Sequence, residues 1–267
     1  MKRTIGLKLP NILTDIMSSV YKDLNNFPPT QIFNEGWLLR ILLECHHRGH
    51  ESFPFKKMKN SNWFSEAQLS TPFKARFPGD PLSEKRTHID GVYGQFSIRS
   101  DTKSGFMLIP DTTQFIIIEA KIFSPLSTGV KNDSNYDQAA RTVACMAKTI
   151  EESRINIEDL KSAGFYVTAP QSQLDKGVFD EKIEKNSIKR KVSARIHGYT
   201  EDEDHHSKLM NWYREYFEPT LDSIKIDTLS YENMINNIQN IDQVTKERIQ
   251  QYYQYCLDYN RPRIVSE

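Results

Sequence analysis

The sequence predicts an α/β fold, a mixed central sheet flanked by helices, with additional helices at the C-terminal end. Three observations carry that expectation. Residues 115–123, Phe-Ile-Ile-Ile-Glu-Ala-Lys-Ile-Phe, form an apolar, largely β-branched run of the kind buried on both faces in mid-sheet. An alanine-rich helical pattern over 136–152 follows, and then a second apolar run, Gly164-Phe165-Tyr166-Val167-Thr168-Ala169. Strand, helix and strand at this distance make a βαβ crossover, and therefore a parallel pair.

The other elements fall around this centre. Pro28 and Pro29 stop any earlier helix, and Thr30 is placed to cap one over 31–45, with Ile32, Trp37, Leu38, Leu39, Ile41, Leu42 and Leu43 as its apolar side. Residues 51–86 read as loop, broken by Pro54, Pro72, Pro78 and Pro81. A strand is expected over 87–98, a hairpin turn over 100–105 and a return strand from 106. Further on come a basic helix over 179–197, a helix over 208–217, a strand over 223–229 and a last helix over 243–259. No linker divides the 267 residues, so one domain is expected.

Composition narrows the function classes. Lys+Arg and Asp+Glu balance at 35 each, so only local patches can argue for a nucleic-acid partner. Two such patches stand out. In 51–86, Lys74, Arg76, Lys85 and Arg86 are interleaved with Phe53, Phe55, Trp63, Phe64, Phe73 and Phe77, a mixture that suits phosphate contact and base stacking or a loop packed on its own aromatics. Helix 179–197 adds Lys189 and Arg190. The dispersed Cys45, Cys145 and Cys256 form no disulfide framework and no zinc signature, which favours a reducing cytoplasm. No run approaches the roughly 20 apolar residues of a membrane span. His46 and His50 have helical spacing but lack a second ligand pair, so a solvated helix end is the expectation there.

The central run holds two charges where charge is costly. Strand alternation points Glu119 and Lys121 to the same face, with Ala120 turned away. If the hairpin folds back, Asp90 on the neighbouring strand comes close to Glu119. Gln138 and Arg141 lie on the following helix, and Glu35 lies beside the buried stripe of the first one.

Asp90, then Glu119-Ala120-Lys121, flanked by Glu35 and Gln138, resembles the PD-(D/E)xK nuclease superfamily, the restriction-endonuclease-like fold. The likeness covers residues 30–170, with 223–229 as an extra strand. It implies that Asp90 and Glu119 are metal ligands together with the Ala120 carbonyl. It makes Lys121 the residue that activates water, Glu35 the acid of the preceding helix, and Gln138 the glutamine of the following one. Two positions depart from the pattern: Ile89 replaces the proline before Asp90, and Gln138 is followed by Arg141 where one exonuclease branch has tyrosine. The implied activity is Mg2+-dependent hydrolysis of DNA, with Mn2+ as a substitute, in restriction or defence against foreign DNA. A homodimer is among the arrangements expected. RNA is the less favoured substrate. The opposing readings are a nuclease-like scaffold that binds nucleic acid without cutting it, and a structural protein in which Glu119 and Lys121 are a buried ion pair.

Overall fold

The computed structural model describes residues 27–84, 87–129 and 133–262. Its strands are β1 (Asn62–Leu69), β2 (Thr87–Gly94), β3 (Phe96–Ile98), β4 (Phe106–Leu108), β5 (Gln114–Ala120), β6 (Ser162–Ala169) and β7 (Lys225–Ser230). Five of them form one mixed sheet in the order β1-β2-β5-β6-β7, antiparallel from β1 to β5 and parallel from β5 to β7. The longer helices are α1 (Glu35–His47), α2 (Gln138–Ser153), α3 (Lys185–His197), α4 (Glu203–Trp212) and α5 (Gln243–Asn260). The α/β class and the mixed, helix-flanked sheet are those expected from sequence.

Every residue of β5 is buried, as its composition demands of the strand in the middle. Its side chains alternate between two cores. Phe115 and Ile117 pack with α2, whose Ala139, Ala140, Val143, Ala144, Ala147 and Ile150 lie flat against the sheet. Ile116, Ile118 and Ala120 pack with Leu38, Leu39, Leu42 and Leu43 of α1 and with Tyr252 and Tyr253 of α5. Gly91 lets α1 approach: a Cβ there would lie 3.0 Å from Leu39 Cδ2. Tyr252 and Tyr253 are thus packing residues.

Several elements differ from expectation for local reasons. Helix α1 begins at Glu35, because Asn34, not Thr30, caps it by accepting from Trp37 N at 3.0 Å. Residues 29–31 make only a short 3-10 turn. The strand expected over 87–98 is two strands. Gly94 has φ +145°, where a Cβ would meet Gln114 O at 2.0 Å, and the Gln95 side chain takes Gln114 N at 2.8 Å. Phe96 and Ile98 therefore belong to a separate β3–β4 hairpin. The loop expected over 51–86 contains β1, at the sheet edge. Helix 179–197 is interrupted at Glu184, leaving a short helix Asp180–Ile183 before α3. His46 sits among Phe53, Phe55 and Tyr93, and that burial lowers its pKa to about 4. Among the described residues no helix is long and apolar enough to cross a membrane.

Candidate active site

The paired part of β2 and β5 ends at Gly91 opposite Ile118. One step further the two strands present Asp90 and Glu119. Here the Asp90 side chain substitutes for the ladder: Oδ2 accepts a hydrogen bond from Ala120 N at 2.7 Å. The edge strand is also irregular at this level, since Glu66, between the Ser65–Gly91 and Ala67–Ile89 pairs, has φ +54°. On the other side of β5 the ladder continues, with Lys121 N donating to Thr168 O at 2.8 Å. Glu119 and Lys121 thereby keep strand alternation and emerge on the α2 side, although β5 itself ends at Ala120.

Glu119 is 1% exposed. Gln138, the first residue of α2, donates from Nε2 to Glu119 Oε2 at 2.8 Å. Thr142, one turn on, donates to Oε1 at 3.4 Å. Lys121 Nζ lies 3.7 Å from Asp90 Oδ2 and 3.8 Å from Glu119 Oε2, the spacing of loose ion pairs. Burial pushes the Glu119 carboxyl well above its usual range, and the negative charge of Asp90 pushes it the same way. Lys121 and Gln138 oppose that shift without cancelling it.

Two carboxylates and one distant ammonium leave an excess of negative charge in a place with little water. A hard divalent cation fits such a donor set. Among the described residues no group of three or more His, Cys, Asp or Glu is arranged to hold a metal. The carboxylates at this point are those of Asp90 and Glu119, each within 3.8 Å of Lys121 Nζ.

The other expected site residues are distributed unevenly. Glu35 stands at the start of α1, partly buried. Burial raises the pKa of the Tyr231 hydroxyl, and the charges of Glu35 and Asp90 add to that shift. Tyr231 OH is 3.2 Å from Thr168 Oγ1, which donates to the Glu119 backbone oxygen at 3.3 Å. Arg141 is partly buried on α2, close enough for its charge to act on Glu84, Tyr136 and Cys145.

The expected nucleic-acid contacts are less concentrated. Lys74 pairs with Glu152 at 2.6 Å, and Lys189 pairs with Glu218 at 2.8 Å, both on the surface. Arg190 is exposed. Arg76 is tied to Asp80 through two bonds of 2.8 and 2.9 Å and to Asp202 at 3.2 Å, and its guanidinium stacks over Tyr199. Phe53, Phe55 and Phe73 are buried and pack against rings of other elements, Phe53 and Phe55 on His46 and Phe73 on Tyr136 and Tyr199, so these three are core residues; Phe77 is exposed. Lys85 and Arg86 lie outside the described residues.

Thr142 was assigned no role from the sequence. The i,i+4 spacing from Gln138 was the available signal. Thr168 and Tyr231 carried none, because the chain brings them together from β6 and the short helix Tyr231–Asn236. Comparison of the chain with models of protein families, with curated proteins and with solved structures returned no match.

Proposed function

We propose that this chain is a Mg2+-dependent nuclease that hydrolyses phosphodiester bonds in DNA, with a restriction-endonuclease-like core. The observation that carries the reading is the convergence of Asp90, Glu119, Lys121 and Gln138 at the end of β5. Supporting it is the order of elements: helix, antiparallel strand pair, central strand, helix, parallel strand, with the acids on the second and third of the sheet strands.

Asp90 and Glu119, with the Ala120 carbonyl, would hold the cation. When bound, it supplies neutralisation of charge on the phosphate and acidifies water. The residues of the chain do the rest. Gln138 and Thr142 fix the two oxygens of Glu119, so this carboxylate enters the reaction already oriented. Lys121 Nζ, at the edge of both acids, orients the attacking water and in its neutral form accepts its proton. Arg141, three residues after Gln138, is a candidate for gripping a phosphate through two parallel bonds. Glu35 is a candidate to orient a further water or hold a second ion. A role in restriction or defence against foreign DNA is the setting the resemblance suggests.

Purified protein is to be incubated with plasmid, with short single- and double-stranded DNA and with RNA, in Mg2+, Mn2+ or EDTA. The expected result is cleavage of DNA that needs the metal and is lost in Asp90→Ala and Lys121→Ala. Absence of metal-dependent cleavage by the wild type, or cleavage that survives both substitutions, overturns the reading. Cleavage confined to RNA would move the substrate class while keeping the site.

A further inference from the structure

The carboxylate of Glu119 is oriented by α2. Gln138 takes Oε2 and Thr142 takes Oε1, so one helix face sets both oxygens. The Gln138 amide is itself fixed: Ser127 N donates to its Oε1 at 3.2 Å, and its own backbone N donates to Ser127 O at 3.1 Å. With Oε1 engaged as an acceptor, Nε2 is left to donate to Glu119. The geometry of the acid therefore depends on where the first turn of α2 sits.

Asp137 holds that turn. Its Oδ1 caps the helix, accepting from Ala140 N at 3.0 Å. Its Oδ2 accepts from Lys191 Nζ on α3 at 2.7 Å. The two side chains are only 4% and 14% exposed. A helix cap needs no lysine, and an ammonium taken out of water is costly to bury. Here that cost is borne one residue away from Gln138. A second lysine from the same region, Lys182, donates to Leu126 O in the segment leading into α2.

We propose that the buried Asp137–Lys191 pair is a positioning device for the candidate catalytic carboxylate, locking the start of α2 so that Gln138 keeps Glu119 oriented toward Asp90 and Lys121. This rests on the nuclease reading of those residues. Asp137 and Lys191 are positioning residues, since they act through Gln138 and touch no reacting atom.

Asp137→Asn preserves an oxygen to cap Ala140 N and removes the charge that holds Lys191. Lys191→Met removes the other partner and keeps most of the stem, and Lys191→Arg keeps a cation. Each protein is checked for an intact far-UV spectrum and a cooperative melt. Cleavage of a short DNA duplex is then followed against Mg2+ concentration, and Mn2+ binding is measured directly by calorimetry without DNA. Asp137→Asn and Lys191→Met should each lower kcat roughly tenfold, leave KM for DNA unchanged and weaken Mn2+ binding by a similar factor. The double variant should be no worse than either single one, and Lys191→Arg should recover most of the loss.

The direction of the metal effect separates positioning from charge. A field effect acting through space would weaken cation binding in Asp137→Asn and strengthen it in Lys191→Met. Opposite shifts of that kind overturn the proposal, as do wild-type kcat and metal affinity in both folded variants. If the wild type binds Mn2+ but does not cleave, the nuclease reading fails, and parallel weakening of Mn2+ binding in the two variants still supports the positioning role. A wild type that binds no divalent cation overturns both.

Discussion

Two clusters in this protein are built from the same residue types and reach opposite electrostatic outcomes. Around Asp80, Arg76 supplies two short bonds, the backbone N–H groups of Arg76 and Leu82 add two more, and the carboxyl is held far below its ordinary range. Around Glu119, burial and the charge of Asp90 push the carboxyl well above its range, and Lys121, 3.8 Å away, does not cancel the shift. Asp80 is a satisfied ion pair that fastens a loop to the start of α4 through Asp202. Glu119 is an acid whose charge the chain does not satisfy. Burial alone does not distinguish them; the number and distance of opposing donors does.

The sharpest way to break this comparison is to measure function in both clusters. Asp90→Ala and Lys121→Ala are expected to lower metal-dependent cleavage by on the order of 10³-fold with the fold intact. Asp80→Asn is expected to leave kcat unchanged. A steady-state cleavage assay with circular dichroism as control decides it, and equal losses at the two clusters would erase the distinction.

Stability should show the reverse order. Asp80→Ala leaves the part-buried Arg76 guanidinium with Asp202 alone of its two acids and is expected to cost about 3 kcal/mol in urea unfolding. Magnesium should stabilise the wild type by about 2.7 kcal/mol at a concentration 100 times its Kd, and leave Asp90→Ala unmoved.

The smallest effect has the most specific sign. In EDTA, Glu119→Gln removes an unsatisfied charge and should raise stability near neutral pH by about 1 kcal/mol. The two carboxylates should also leave opposite marks on the pH profile. Asp80, depressed on folding, contributes stability that is present above its unfolded pKa of about 3.9 and is lost as the pH falls toward its folded value. Glu119, raised on folding, contributes stability that is full below its unfolded pKa of about 4.3 and is lost as the pH rises through its folded value. Urea midpoints between pH 3 and pH 8 should therefore lose a rising component in Asp80→Asn and a falling one in Glu119→Gln. Slopes of the same sign would mean that the two sites are electrostatically alike.

Much of the fold and of the cluster around Glu119 was legible in the sequence, and the parts that were not share a cause. The run at 115–123 announced a central strand, because β-branched residues without alternation fit only a strand covered on both faces. The alternation of Glu119 and Lys121, the return of the chain toward Asp90 and the place of Gln138 in the first turn of the next helix followed from spacing along neighbouring elements, although that helix begins at Gln138 and not at 136. Strand β1 escaped because its one apolar-polar alternation lies among prolines and lysines, and the break at Gly94 escaped because a permissive residue states no conformation until Gln114 occupies its space. Arg76 looked like a phosphate ligand because its acids include Asp202, which is remote in sequence.

By itself, then, the sequence determined the α/β class, the middle strand and the four residues that meet at its end, since each of these depends on short-range periodicity and on what a buried strand tolerates. Only the tertiary structure decided which charges are satisfied. That is settled by partners from distant elements, Asp202 for Arg76 and Lys191 for Asp137, and by donor distances, 2.8 Å at Asp80 against 3.8 Å at Glu119, that no spacing along the chain encodes.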